Sequence, residues 1–274
     1  VLEPCYGGLQ RYSEGLAAAT VRCWRGDFSR PYPSSWGFID ERGKLVIPHR
    51  YVAARAFHDG FALVSQSLPE KSRSGKSFVE GFIDKTGRMC FESNFAHSMD
   101  FNHGVAVKSK GTDKSEPSDC RARLCLINIK GEELTKTGEY HEYGLKKQRE
   151  EALLQSEGLI PVRQRKLWGF IDLSGKEIIK PQFCYVDHFK EGLAAVSVDG
   201  NFYFYINRNG KSVVPGKFLS AGPFTDGRAI IQDRMGRAVI NKAGKRLFDA
   251  SGIEEYSEGL YLWKDPSKSP LEKS

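Results

Sequence analysis

The chain has 274 residues, 40% apolar and 12% aromatic, with 41 lysines and arginines against 34 aspartates and glutamates and a formal charge of +7. That composition suits a folded β protein, and no apolar run approaches the length that spans a bilayer. The charge is modest and no nucleic-acid-binding motif accompanies it, so it does not by itself argue for a nucleic-acid partner. No signal peptide is recognisable.

In chain order, a first recurring arm is Tyr12-Ser-Glu-Gly15, followed by the short apolar run at 16–19. Next comes Trp36-Gly-Phe-Ile-Asp40, with Gly43 three residues beyond the aspartate and an aliphatic run at 45–47. Both arms return. The aspartate arm recurs at residues ending in Asp84, Asn128, Asp172, Asn207 and Asn241. Each copy has a glycine three residues on, at Gly87, Gly131, Gly175, Gly210 and Gly244, and the six glycines are spaced 44, 44, 44, 35 and 34 residues apart. A basic residue follows five of the six; Glu132 is the exception. The other arm, an aromatic, two residues and Gly, recurs from Phe57, Phe101, Phe189, Phe224 and Tyr256, with a degenerate copy at Gln155.

The aspartate arm predicts a hairpin turn. An Asp or Asn side chain accepts a backbone N–H two residues on, and the glycine supplies positive φ. The flanking runs are aromatic and β-branched, at strand length. The unit therefore holds at least three short strands.

These motifs resemble the WG-repeat family, also called KWG repeats. The resemblance is fullest from Trp168, which opens Trp-Gly-Phe-Ile-Asp, continues through Gly175, Lys176 and Pro181, and closes with Phe189-Lys-Glu-Gly-Leu-Ala. It implies a repeat scaffold far more than an activity. The expected fold is all-β, six to seven antiparallel units of about 34–44 residues. An open superhelical array is favoured, because about 34 residues is short against the ~40–45 of common propeller repeats; a six- or seven-bladed propeller is the alternative. Residues 1–263 form the repeat domain, and the polar tail 264–274 is expected to be disordered. A short helix is expected near 145–155, where Lys146 with Glu150 and Lys147 with Glu151 stand at i,i+4.

The first three units carry long insertions at one junction: residues 20–35, 65–79 and 108–123. Each is net +2, so together they hold six of the seven net charges. Insertions at a fixed point of a repeat project from one face. The candidate partner-binding residues are therefore Arg22, Trp24, Arg25, Arg30, Tyr32, Lys71, Arg73, Lys76, Lys108, Lys110, Arg121 and Arg123, with Arg22, Trp24, Arg25 and Tyr32 as candidate anchors.

No catalytic elbow, zinc helix, phosphate loop or dinucleotide fingerprint occurs, and no catalytic residue, cofactor or metal is expected. The six cysteines include no C-x-x-C pair, which points away from zinc and towards reduced thiols in the cytoplasm, with bacterial export the alternative. Glu14, Asp59, Glu191, Asp226 and Glu258 are read as turn residues. His58, His103 and His188 share the same arm. The expected function is a non-catalytic scaffold for another protein, with no membrane role. The alternatives are a polyanion or nucleic acid on the same basic loops and, remotely, a glycosidase-like propeller with paired acids.

Overall fold

The computed structural model describes residues 6–21, 35–68, 78–93, 98–112, 122–143, 157–250, 253–257 and 260–263. Among these the structure is all β, with no helix, and every strand pair is antiparallel. The expected helix at 145–155 and the tail at 264–274 lie outside the described residues. The chain divides into two compact units, Val1–His141 and Glu142–Ser274.

The first unit holds three modules in succession. The first is β1 (Tyr6–Leu9), β2 (Leu16–Val21), β3 (Trp36–Asp40) and the opening half of β4 (Leu45–Ala54). The far half of β4, Tyr51 to Ala54, pairs with β5 (Phe61–Ser67), and β6 (Phe78–Asp84) and β7 (Met89–Glu92) complete the second module. The third has β8 (Met99–Asn102), β9 (Val105–Thr112) and β10 (Ala122–Asn128). In the second unit the series runs β11 (Glu142–Tyr143), β12 (Leu159–Gln164), β13 (Leu167–Asp172) and β14 (Glu177–Phe183). It continues with β15 (Tyr185–Val186), β16 (Leu193–Ser197) and β17 (Tyr203–Asn207), then β18 (Ser220–Ala221), β19 (Arg228–Asp233), β20 (Gly236–Asn241) and β21 (Arg246–Asp249). A last pair is β22 (Ile253–Ser257) and β23 (Leu260–Trp263).

A full module is thus a four-stranded meander. The lead-in segment, such as β1 or β11, adds an edge strand to the three legible in the motifs. These lead-ins are short, which hides them from a period-two search.

All six aspartate-arm turns form as the spacing predicts. In the first, Asp40 Oδ1 accepts N–H bonds from Arg42 at 2.9 Å and Lys44 at 2.8 Å, and Gly43 N–H closes on Asp40 O at 2.9 Å. Asn207 does the same work for Asn209 and Lys211, both at 3.0 Å. Asp and Asn are therefore interchangeable here.

The glycine three residues before the turn aspartate, preceded by Trp36, Glu80 or Trp168, has a separate reason. A Cβ at Gly37 would lie 2.7 Å from Ile47 O, at Gly81 2.1 Å from Phe91 O and at Gly169 2.4 Å from Ile179 O. The third strand crosses close over this position, backbone against backbone, at a register shift around Gly37 and Gly169 and opposite Glu92 at Gly81. Where Cys125 or Phe204 stands instead, the third strand shrinks to isolated bridges, Ile127 with Glu133 and Ile206 with Ser212. Ala238 keeps a regular partner in β21.

Within each unit the core lies between consecutive modules, so second strands such as β5 and β16 are buried on both faces and read as continuous apolar sequence. Leu16 and Ala18 pack with Phe57, Ala62 and Val64; Leu63 faces on to Phe101, Ala106 and Cys125. In the second unit Phe170 and Ile179 pack with Phe189, Ala194 and Val196, and Leu193 and Ala195 with Phe224, Ala229 and Ile231.

Candidate functional site

What joins module to module is itself a repeated polar and aromatic constellation. The arm of an aromatic, two residues and Gly is a two-residue hairpin turn with positive φ at both positions, for example Glu14 at 53° and Gly15 at 83°, closed by a Ser13–Leu16 bridge. A left-handed glutamate costs on the order of 1 kcal/mol. The side chain gains a partner in return, because it reaches the next module. Gly60 N–H donates to Glu14 Oε2 at 3.0 Å and Gly104 N–H to Asp59 Oδ2 at 2.7 Å. In the second unit Gly192 N–H donates to Glu157 at 3.0 Å and Gly227 N–H to Glu191 at 3.0 Å.

A lysine from the neighbouring hairpin completes two of these joints. Lys85 Nζ lies 3.1 Å from Glu14 Oε2 and donates to Glu14 O; Lys242 Nζ lies 3.0 Å from Glu191 Oε2 and donates to Glu191 O. Burial opposes ionisation of Glu191, but the hydrogen bonds from Lys242 and Gly227 outweigh it and hold its carboxyl below the usual range. Among the turn aspartates, burial of Asp84 is likewise outweighed by bonds from Thr86 and Arg88, which set its carboxyl at about 2.

The aromatic of the same arm is the apolar half of the joint. Phe57, Phe101, Phe189 and Phe224 are fully buried. Each meets an aromatic of the preceding aspartate arm edge to face: Phe38–Phe57 at 4.9 Å, Phe82–Phe101 at 5.1 Å, Phe170–Phe189 at 4.9 Å and Tyr205–Phe224 at 4.7 Å. Such pairs add about 0.5–1.5 kcal/mol beyond their burial. Tyr12, at the first arm, stays 40% exposed.

Glu14, Asp59 and Glu191, read from sequence as turn residues, are therefore turn residues with a second role, while Glu258 lies outside the described residues. The ladder was missed because a turn explained the acids locally. Its signal was present: an acid precedes the glycine in nearly every copy, and His103 interrupts it. His103 instead bonds its neighbour Asn102 through Nδ1 at 2.6 Å.

Of the candidate partner-binding residues, Arg22, Trp24, Arg25, Arg30, Tyr32, Lys71, Arg73, Lys76 and Arg121 lie outside the described residues. Lys108 and Lys110 are on β9 and Arg123 is on β10, so these three belong to strands extending into the sequence assigned to a loop. Lys108 is half-buried. Cys90, Cys125 and Cys184 are free thiols, and among the described residues no group of His, Cys, Asp and Glu is arranged to hold a metal. No helix of the described residues is long and apolar enough to cross a membrane.

Fold and joints together define a β-repeat scaffold, built from meander modules tied by carboxylate–glycine bonds and aromatic pairs. The chain carries WG repeats: residues 36–67, 168–202 and 203–234 match the WG containing repeat. No curated protein sequence matches the chain. Among solved structures it is similar to BamB from Moraxella catarrhalis at 11% identity, covering 89% of this chain and 75% of that one, with a TM-score of 0.40. It is also similar to the WD40 β-propeller domain of Doa1 at 9% identity, covering 83% and 75%, with a TM-score of 0.30.

Proposed function

We propose that the protein is a non-catalytic scaffold that binds another protein, and that the contact lies at the module ends remote from the carboxylate ladder. One observation supports this reading. The ladder ends are built alike from module to module, whereas the opposite ends vary. There β2 passes to β3, β5 to β6 and β9 to β10 through residues 22–34, 69–77 and 113–121, within the three basic insertions. The acids that suggested a glycosidase are occupied: Asp40, Asp84 and Asp172 hold hairpin turns, and Glu14, Asp59, Glu157 and Glu191 hold joints. The free thiols fit a reducing, cytoplasmic setting.

The test is capture from lysate, with and without nuclease, compared with a variant neutralised at Arg22, Arg25, Lys71, Arg73, Lys76, Arg121 and Arg123. The expected result is a discrete protein set that survives nuclease and is lost with the variant. Capture that disappears with nuclease favours the polyanion reading, and its affinity then falls steeply with salt. A set unchanged by the variant overturns the basic insertions as the contact.

A further inference from the structure

The second unit places different chemistry at the corresponding module ends. Its three junctions are short: Arg165 and Lys166 between β12 and β13, residues 198–202 between β16 and β17, and Arg234 and Met235 between β19 and β20. Each carries an exposed apolar side chain at or beside its tip. Leu167 is 40% exposed, Val198 58% and Met235 81%. A two-residue hairpin turn ordinarily carries Asn, Asp or Gly. A thioether left in water at such a position contributes nothing to the fold that a polar residue would not.

The tips stand on one side of this unit. Glu157, beside the start of β12, bonds Gly192 at the start of β16, and Glu191 bonds Gly227 at the start of β19. The three strands have similar lengths of six, five and six residues, and their modules share packed cores. Tying one set of ends therefore brings the other ends together at the opposite edge. With packed sheets ~10 Å apart, three tips span ~20 Å, which an extended segment of about six residues covers at ~3.3 Å each.

Basic side chains predominate at these tips, with Asp199 the exposed acid among them. Arg165, Lys166 and Arg234 are exposed. The acids beside them are committed within their own modules. Asp199 accepts the N–H groups of Asn201 and Phe202, and Asp233 holds Met235 N–H and the Arg246 guanidinium at 2.9 Å. Arg165 also has a positive φ of 56°. The left-handed turn residues Glu14, Asp59, Glu157 and Glu191 gain a joint to the next module, whereas Arg165 carries its charge at the tip itself.

We infer that the tips of the second unit form a docking strip for an extended acidic segment of a partner protein, one that places apolar side chains on Leu167, Val198 and Met235 and carboxylates on Arg165, Lys166 and Arg234. The strip rests on the reading of the protein as an interaction scaffold but uses none of the basic insertions.

The test is selection of a displayed random dodecapeptide library on the whole chain. Titration of the enriched peptide follows on three proteins: wild type, the triple variant Leu167→Ser, Val198→Ser and Met235→Ser, and the variant neutralised in the insertions. All three serine substitutions fall at exposed positions, and circular dichroism checks that the fold is retained. The expected peptides are rich in Asp and Glu with interspersed apolar residues. The triple variant weakens binding at least tenfold, and the insertion variant leaves it within twofold. Failure to enrich, enrichment of non-acidic sequences, or equal binding by the triple variant each overturns the strip. If affinity falls with the insertion variant alone, the strip is overturned while the scaffold reading stands.

Discussion

The two units use the same joint but treat the other end of the module differently. In both, an acid on one turn holds the next glycine N–H and an aromatic packs edge to face on its predecessor. In the first unit the far junctions carry long insertions; in the second they close in two to five residues. The fold therefore depends on the ladder edge and the cores, and the opposite edge is free to diverge. The joint determinants also lapse together near the division between units. Leu126 replaces the arm aromatic, Gln155 replaces the following one, and His103 replaces the acid.

The largest expected effect comes from breaking an aromatic joint. Phe170→Ala should cost about 3–5 kcal/mol, read by urea unfolding of the whole chain. A cost below 1 kcal/mol would show that the pair does not hold the modules together. Gly169→Ala follows, at about 2–3 kcal/mol, because its Cβ meets the Ile179 and Pro181 backbone rather than a movable side chain. The same test at Cys125, trimmed to Ala, sharpens the comparison between units. With only an isolated bridge after it, no backbone clash is relieved, and the change should register only the lost sulfur packing and the weak S–H bond to Lys108 O.

Glu191→Gln comes next, at about 1–2 kcal/mol near neutral pH, where a charge-assisted bond becomes a neutral one. The folded carboxyl of Glu191 is held below its ordinary 4.5. Its contribution is therefore present above that value and lost as pH falls through the lower, folded one. The stability curves of wild type and variant should converge as pH falls below that ordinary 4.5; curves that stay parallel through the fall would contradict the joint. In the opposite direction, Arg165→Gly should stabilise by about 1 kcal/mol by relieving the left-handed backbone, while weakening peptide binding at the tips. The smallest effect belongs to Asp172→Asn, within about 0.5 kcal/mol, since Asn207 and Asn241 already make the same turn. A large loss there would mean that the carboxylate does more than close the hairpin.

The repeats, the antiparallel hairpins and the six aspartate-arm turns were legible in the sequence because each is decided within a few residues. A side chain two positions from a backbone N–H and a glycine at positive φ need no distant partner. The second strands were legible as short apolar runs such as 193–196, but that both their faces are covered was decided by the packing of neighbouring modules. The fourth strand, the role of the Trp-Gly glycine and the carboxylate ladder were decided only by tertiary structure. Gly169 must be glycine because Ile179 O arrives from ten residues away, and Glu191 gains its meaning from Gly227 and Lys242 in the following module. A sequence records which residues recur. Whether a recurring acid merely turns its own chain or also fastens the next module depends on which backbone N–H the packed core brings within 3.0 Å of it.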